Sequence, residues 1–311
     1  MHHALAPIPC KPWSLSGLSE RLIVSHYEND YGAAVRSLNA TRADLDALVL
    51  GDVPAYQLLA MKREEIAATN SVILHELYFG SLGGDGGVLF TGSGHGNQIL
   101  EPISTALRQA FGSVVKWRQE FAALAEALSH GSGWVVLNYS RRDGRLYNHI
   151  AVDHSHAMID AVPLLALDMY EHAYHMDYGA AAARYVDAVM ANLDWARIYA
   201  RYKAAVEAAS EPFVASQDDV ASAVILDVRR AGVFDKASTV IPGSQWRDPA
   251  HVAEWAQEQE STGPVVVYCV YGHEVGRATA LRLRAAGVDA RFLHGGIDGW
   301  ERAGRPLGPK S

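Results

Sequence analysis

The sequence has little cysteine and no excess of positive charge. Two cysteines, Cys10 and Cys269, occur in 311 residues, which is too few for a disulfide-stabilised scaffold or a sulfur-rich metal site. The 27 basic residues are outnumbered by 35 acidic ones, for a net charge of −8, so we expect no nucleic-acid partner. No apolar run approaches the length of a membrane span, and the N-terminus lacks the features of a secretory signal. We therefore predict a soluble, cytoplasmic protein that does not bind membranes.

The length and the histidine content are more informative. A chain of 311 residues is about twice the usual domain length, which predicts two domains. The hydrophobic fraction of 49% and the charged fraction of 20% are typical of globular proteins. Histidine occurs 14 times, which raises the question of whether some of these side chains stand where chemistry requires them.

In the first two thirds of the chain, segments with helical periodicity are followed by segments with the pattern of β-strands. Apolar residues recur at helical spacing over about 18–39, 56–79 and 97–128, with a glycine-rich loop at 82–87. Strand-like runs follow at 134–139, 146–152 and 162–167, with a hairpin turn at 142–145, and helical text resumes over about 180–209. This order predicts an α+β domain.

A break at Ser210, which is followed by Glu and Pro, marks the domain boundary. Beyond it, strands at 223–227, 264–268 and 290–293 alternate with a helix at 275–286, which predicts a small α/β domain with a parallel sheet. The predicted domains are 1–209, with a helical hairpin at about 16–90 and an α/β half at about 91–209, and 210–311.

Three histidines and one aspartate form a candidate metal site. Asp168 and His172 are four residues apart where a strand gives way to a helical stretch, and His26 and His75 lie in helices among apolar neighbours. Three imidazoles and a carboxylate suit iron or manganese, whereas structural zinc more often uses cysteine. Each residue alone is also compatible with an ordinary core histidine or a chance pair, so the prediction depends on their joint context.

Four segments carry a family resemblance: HY at 26–27 ahead of LN at 38–39, LHELYF at 74–79, GSGW at 131–134 and DMYEHAY at 168–174. In order and spacing they resemble the iron/manganese superoxide dismutases over about residues 16–208. The resemblance implies one iron or manganese ion per subunit, with the ligands His26, His75, Asp168 and His172. It also implies conversion of superoxide to dioxygen and hydrogen peroxide, and a homodimer in which Glu171 bonds to His172 of the partner subunit.

The chain departs from the family around these ligands. Asp30 and Ala34 stand where the family usually has histidine and tyrosine, Tyr170 replaces a tryptophan, and His175 replaces a tyrosine. We expect Asp30 and His175 to form a charge-assisted pair across the dimer.

The usual glutamine that hydrogen-bonds the metal-bound solvent is also absent. Ser71 occupies its iron-type position, and His154 occupies its manganese-type position, where some family members use histidine. We therefore predict a catalytic role for His154. The alternative is a solvated loop histidine like its neighbour His156.

Cys269 is a candidate nucleophile. It follows an apolar strand and opens the loop CVYGHEVG at 269–276, after which a helix begins. Backbone N–H groups of such a loop and of the helix N-terminus are expected to converge on the sulfur and stabilise its thiolate. The alternative is a buried, inert cysteine at the end of a strand.

The last hundred residues resemble a rhodanese domain over about 212–305. The segments concerned are ILDVR at 225–229, VIPGS at 240–244, the Cys269 loop and HGGIDGW at 294–300. The resemblance implies that Cys269 accepts sulfane sulfur as a persulfide. Because Glu274 stands where thiosulfate-using members carry arginine, we expect a neutral or small persulfide donor instead of thiosulfate. Asp227 and Arg229 are expected to be structural.

The sequence thus predicts an enzyme: a metal-dependent superoxide dismutase fused to a cysteine-persulfide sulfurtransferase, acting in oxidative or metal stress defence. The Cys269 loop is also similar to rhodanese-type segments of chromate-resistance-associated proteins. Two alternatives remain at this stage. One is a sulfurtransferase whose first domain is a dimerising, metal-holding scaffold, and the other is a redox sensor without turnover.

Overall fold

The chain begins with a helical hairpin that carries two of the predicted ligands. The structure, a computed structural model, describes residues 2–86, 101–129, 131–156, 158–259 and 263–310. After a short 3₁₀ helix (Pro12–Ser14), the chain forms α1 (Glu20–Ser25), a π-helical segment (His26–Tyr31), α2 (Gly32–Asp46) and α3 (Ala55–Gly80). Ser19 caps α1 by accepting a hydrogen bond from the Leu22 amide at 3.0 Å. The first helical run therefore extends past the predicted end at 39 and contains one wide turn that begins at His26.

The third predicted helical stretch divides into two helices, α4 (Glu101–Phe111) and α5 (Val114–Leu128). Gly112 adopts a positive φ of 83°, which ends α4, and the Ser113 hydroxyl accepts from the Lys116 amide to start α5. Residues 97–100 of that prediction, and residue 87 of the predicted glycine-rich loop, lie outside the described residues.

An antiparallel sheet follows, as predicted. Its strands are β1 (Trp134–Ser140), β2 (Leu146–Ala151) and β3 (Ala161–Asp168), in the order β2-β1-β3. Trp134 pairs with Asp168, so the predicted carboxylate ligand ends the strand beside a buried tryptophan. The helices after the sheet are α6 (His175–Tyr178), α7 (Ala182–Ala191) and α8 (Trp195–Ser210). Asp194 caps α8, which divides the single helix predicted over 180–209.

The C-terminal part contains the predicted parallel sheet. Its strand order is β4-β9-β8-β5-β7, and the paired strands in it run parallel. In chain order the elements are β4 (Val214–Ala215), β5 (Val224–Asp227), α9 (Ala231–Phe234), β6 (Thr239–Val240), β7 (Gln245–Trp246), α10 (Val252–Trp255), β8 (Val265–Tyr268), α11 (Glu274–Ala285), β9 (Ala290–Leu293), α12 (Gly296–Arg302) and β10 (Gly308–Pro309).

Helix α11 joins the two parts of the molecule. Its Ala278 and Leu281 are buried in the same apolar core as the first part of the chain. Its Arg277 donates to the Ser210 hydroxyl at 3.1 Å and to the Glu207 carbonyl at 3.4 Å. The cysteine loop, which leads into α11, is thus held against α8. Among the described residues, no helix combines the length and apolar content that crossing a membrane requires.

A buried ion pair stabilises the C-terminal part. Arg229 donates through Nε to both carboxylate oxygens of Asp227, at 3.0 and 2.9 Å, and the Tyr268 hydroxyl donates to the same carboxylate at 2.9 Å. This supports the structural role expected of the pair.

We expect Arg229→Met to lower the free energy of unfolding by about 3–5 kcal/mol, because it leaves the buried Asp227 charge without its partner. Urea unfolding of the full chain measures the change. Arg302→Met is the matched control, because Arg302 pairs with Asp298 while 78% exposed, and we expect a change below about 0.5 kcal/mol. Equal effects of the two substitutions would contradict a stabilising role for the buried pair.

Candidate metal centre and cysteine loop

Four side chains from three regions of the first part meet in its interior. One ligand atom from each of His26, His75, Asp168 and His172 lies within 4.8 Å of the others. Asp168 Oδ2 is 3.1 Å from Nε2 of His26, 3.1 Å from Nε2 of His172 and 3.8 Å from Nε2 of His75. The hairpin supplies two of these residues, the end of β3 supplies the carboxylate, and the turn after β3 supplies the last histidine.

The donors fit a first-row metal ion such as iron or manganese. His26, His75 and Asp168 are buried, and the His75 Nε2 and both ring nitrogens of His26 have no hydrogen-bond partner in the described part of the chain. Buried polar atoms without partners are costly, and a cation among three imidazoles and a carboxylate would remove that cost.

The protonation states of His75 and Asp168 suit metal binding. Burial, together with the charge of the neighbouring His26, lowers the pKa of His75 to about 3, so its ring is neutral at pH 7. Burial opposes ionisation of Asp168, but the hydrogen bond from His172 and the proximity of His26, whose Nε2 lies 3.1 Å away, hold its pKa well below the usual range. A neutral His75 and an ionised Asp168 are the forms that bind metals. Burial lowers the pKa of His172, but its hydrogen bond to Asp168 and the charges of Asp168 and Asp30 raise it, so this ring must lose its extra proton when a metal binds.

Neighbouring groups fix the orientation of His75 and His172. The Ser71 carbonyl lies 2.7 Å from Nδ1 of His75, which places the NH on Nδ1 and leaves Nε2 directed at the cluster. Asp30 Oδ1 lies 3.6 Å from Nδ1 of His172. The structure thus places Asp30 beside a predicted ligand of its own chain. Its expected pairing with an exposed His175 across a dimer remains a prediction.

His154 lies at the edge of the cluster in an aromatic stack. Its ring stacks on Tyr170 at 5.0 Å between centroids, and Tyr170 stacks on His172 at 5.6 Å. The Asn70 side chain donates to the His154 carbonyl at 2.7 Å, which holds the loop in place, and His154 Nε2 is buried with no partner among the described residues. His156, by contrast, is exposed, and its Nδ1 lies 2.9 Å from a carboxylate oxygen of Asp153. His156 therefore has the solvated setting that was the alternative for His154, whereas Nε2 of His154 is buried.

Sequence reasoning missed Asn70 and Tyr31. Tyr31 stacks on His75 at 6.0 Å between centroids and donates its hydroxyl to Glu76 at 2.9 Å. Their placement depends on contacts between distant segments. Asn70 and Tyr31 are, however, the direct neighbours of Ser71 and Asp30, and that proximity is the signal that could have identified them.

Cys269 lies in a tight loop after β8. Its side chain is buried, with 6% exposed, and the N–H groups of Gly276, Gly272 and His273 hydrogen-bond the sulfur. Gly272 has a φ of +69°, and a Cβ there would lie 2.8 Å from the Gly295 amide nitrogen, so glycine is required at this position.

The thiol is not activated as expected. Burial, reinforced by the charge of Glu274, raises the pKa of Cys269 despite the backbone hydrogen bonds. The expected convergence of backbone N–H groups on the sulfur is present, and these groups do favour the thiolate. The net effect on the pKa is nevertheless opposite to the expected one, because the loss of solvent outweighs them. Glu274 itself is buried, and it faces the first part of the molecule across a small cavity.

The comparisons with known proteins agree with this two-part site. A model of the C-terminal domain of iron/manganese superoxide dismutases matches residues 100–201, and a rhodanese-like domain model matches residues 212–303. The fold and the site together define a class of protein in which a dismutase-type metal-binding unit is joined to a rhodanese-like unit.

Individual relatives identify the family of the first unit more closely. An iron superoxide dismutase of Cupriavidus metallidurans is 53% identical over 206 residues, which cover 66% of this chain and 99% of that protein. An iron superoxide dismutase of Aquifex pyrophilus is 29% identical over 64% of this chain and 90% of its own length. A manganese superoxide dismutase of Mycobacterium avium is 30% identical over 65% and 95%. The chain belongs to the iron/manganese superoxide dismutase family and carries an additional rhodanese-like domain, which confirms both resemblances.

Proposed function

We propose that this chain is a metal-dependent superoxide dismutase that converts two superoxide ions to dioxygen and hydrogen peroxide, fused to a cysteine-persulfide sulfurtransferase. The observation that carries the proposal is the convergence of His26, His75, Asp168 and His172 within 4.8 Å. We propose these four as the ligands of one iron or manganese ion, and residues 1–209 and 210–311 as the two domains. Oxidative or metal stress defence is the corresponding role.

A bound iron or manganese ion supplies one-electron oxidation and reduction of superoxide. The surrounding residues of the chain do the rest. Ser71 and Asp30 orient His75 and His172, and His154, at the edge of the cluster, is the proposed proton donor. Its buried, unpartnered Nε2 is the atom available for delivering a proton to reduced substrate.

We expect His154→Ala to lower dismutase activity by about 10- to 100-fold, as loss of groups that support a metal site typically does. His154→Gln should retain most of the activity, because its amide also hydrogen-bonds solvent. The measurement is superoxide consumption at equal metal content. His156→Ala, a nearby exposed histidine, is the control. If His154→Ala and His156→Ala behave alike, His154 has no catalytic role.

The sulfur reaction would occur at Cys269. Its thiolate attacks the outer sulfur of a persulfide donor. A new S–S bond to Cys269 forms as the S–S bond of the donor breaks, and the donor leaves as a thiol after taking a proton. The buried charge of Glu274 near the sulfur disfavours anionic donors such as thiosulfate. A neutral or small persulfide is therefore the proposed donor.

We propose a homodimer in which Glu171 bonds to His172 of the partner subunit. Glu171 and His175 are exposed and line a groove with Tyr174 and Glu126, so both can reach a second copy. Because Asp30 lies 3.6 Å from Nδ1 and Asp168 lies 3.1 Å from Nε2 of His172, the dimer would add a third carboxylate beside this histidine. A cytoplasmic location is also proposed, consistent with the free thiols of Cys10 and Cys269.

A second candidate function is favoured by the changed surroundings of the cluster. Ala34 lacks the phenol that the family usually has at this position, and Tyr170 occupies the place of a tryptophan. In this alternative the first domain is a dimerising, metal-holding scaffold for a sulfurtransferase or redox sensor.

The deciding experiment follows superoxide consumption by the full chain loaded with iron or with manganese. The metal-free chain and equal concentrations of free metal are the controls. The proposal predicts turnover by at least one loaded form well above both controls. If the fully loaded chain consumes superoxide no faster than free metal, the dismutase proposal is rejected and the scaffold function is the remaining candidate.

A further inference from the structure

Two different elements hold the two halves of the cysteine loop. The amide of Ile297, in the first turn of α12, donates to the Cys269 carbonyl at 3.0 Å. The next amide, that of Asp298, donates to the Val270 carbonyl, also at 3.0 Å. These bonds tie the first half of the loop to the C-terminal part of the molecule. The second half is held by Arg277, which lies in the first turn of α11.

Arg277 fixes both loop residues that precede α11. Its side-chain Nε donates to the Gly272 carbonyl at 3.0 Å, and its amide donates to the His273 carbonyl at 3.2 Å. The thiol of Cys269 donates to the same His273 carbonyl at 3.9 Å. Arg277 therefore holds the backbone group to which the sulfur itself is hydrogen-bonded.

The guanidinium of Arg277 also reaches the end of α8. Its Nη1 donates to the Ser210 hydroxyl at 3.1 Å, to the Glu207 carbonyl at 3.4 Å and to the Glu211 carboxylate at 3.3 Å. Ser210 is fully buried, and the buried apolar side chains of α8 belong to the core of the first part of the molecule. The Phe292 ring, whose centre is 4.2 Å from the guanidinium carbon, supports the side chain in this orientation.

We propose that Arg277 is a positioning residue that couples the cysteine loop to α8, so that Cys269 is held in the geometry for sulfur transfer only while the two parts of the molecule are docked. The inference deepens the proposed sulfur transfer at Cys269 and rests on it. A guanidinium carries its N–H donors in one rigid plane, so its bond to Ser210 also fixes the direction of its bond to Gly272. Loss of the acceptor at the end of α8 therefore loosens the side chain that holds the loop.

The test follows Cys269 in the full chain by two independent readouts. The first is alkylation by iodoacetamide, with peptide mass spectrometry to separate Cys269 from Cys10, at the alkaline plateau of the pH profile, where the thiol is ionised. Because only 6% of Cys269 is exposed, this rate reports how often the loop opens. The second is sulfur transfer from a small persulfide donor. Because Arg277 is proposed to act through the loop and not on the donor, kcat should change and KM should not.

We expect Arg277→Met to be alkylated at Cys269 about tenfold faster than the parent, because loss of hydrogen bonds from a charged donor favours the open loop. Its kcat for sulfur transfer should fall by about tenfold or more, because a displaced nucleophile reacts slowly. Ser210→Ala removes only one acceptor and should change both rates in the same directions by about threefold. The double variant should equal Arg277→Met, because the hydroxyl acts through the guanidinium.

Arg284→Met is the matched control. Arg284 also lies on α11, its guanidinium carbon is 4.0 Å from the centre of the Phe213 ring, and it donates to Asp289 and to the Ala290 carbonyl. None of its hydrogen bonds in the described part of the chain reaches the cysteine loop, so we expect the rates of the parent. Cys10 is the internal control, and its alkylation should be the same in every variant.

Four results would overturn the inference: parental alkylation of Cys269 in Arg277→Met, an equal rise at Cys10, a change in KM without one in kcat, or effects of Ser210→Ala that multiply with those of Arg277→Met. If Arg277→Met does not fold, the milder Ser210→Ala decides alone, and unchanged rates in it reject the coupling.

The alkylation readout does not need turnover. If the parent transfers no sulfur but Arg277→Met still accelerates alkylation of Cys269 alone, the proposed sulfur transfer fails while the coupling stands. If the parent transfers sulfur and Arg277→Met changes neither rate, the coupling alone is rejected.

Discussion

The purified His75→Ala variant should contain almost no iron or manganese and should have lost dismutase activity by more than about 100-fold. Loss of a group that merely supports a ligand costs about 10- to 100-fold in metal affinity or activity, and His75 is proposed as a ligand itself. Its Nε2 is buried without a partner and lies 3.8 Å from Asp168 Oδ2. Elemental analysis and superoxide consumption measure the two effects.

His149→Ala is the matched control for this variant. His149 is a half-buried histidine of β2 that hydrogen-bonds Asn138 at 3.1 Å, and it does not belong to the cluster of possible ligands. We expect full metal content and activity. Dismutase activity that survives in His75→Ala would reject the ligand assignment.

The second large effect is expected at the cysteine loop. Cys269→Ala should abolish sulfur transfer from a persulfide donor, because no other group of the loop can carry the sulfur, and should leave dismutase activity unchanged. Cys269→Ser keeps the size of the side chain at this buried position and separates loss of the nucleophile from loss of packing. Transfer is measured as thiol release from the donor and as the appearance of sulfane sulfur on a thiophilic acceptor.

Cys10→Ala provides the comparison, because Cys10 is the other free thiol of the chain and no function is proposed for it. It should transfer sulfur like the parent. If Cys269→Ser does so as well, Cys269 is not the sulfur carrier and the rhodanese-like domain has another role.

Local patterns predicted most of the fold. Strands β1, β8 and β9 agree with the sequence prediction within a residue at either end, because short buried runs of β-formers between turns are strong signals. The helix breaks at Gly112 and at Asp194 were missed, although a glycine and a capping aspartate mark them. The wide turn at His26 was not predicted, because the apolar spacing of this segment is that of an ordinary α-helix.

The candidate site also has parts that the sequence predicted and parts that it could not predict. His26, His75, Asp168 and His172 could be proposed from family segments, and the structure brings them together. The position of Asp30 beside His172 could not be predicted, since it depends on how separate elements pack. The sequence likewise could not reveal that burial reverses the expected effect of the loop on the Cys269 thiol.

The most direct test of the central claim is the X-ray absorption spectrum of the full chain loaded with one equivalent of iron or manganese. The account predicts a metal surrounded by nitrogen and oxygen only, as His26, His75, His172 and Asp168 would provide, and the same spectrum in Cys269→Ala. A sulfur neighbour at about 2.3 Å, the usual length of a metal–thiolate bond, or a spectrum unchanged in His75→Ala, would contradict it.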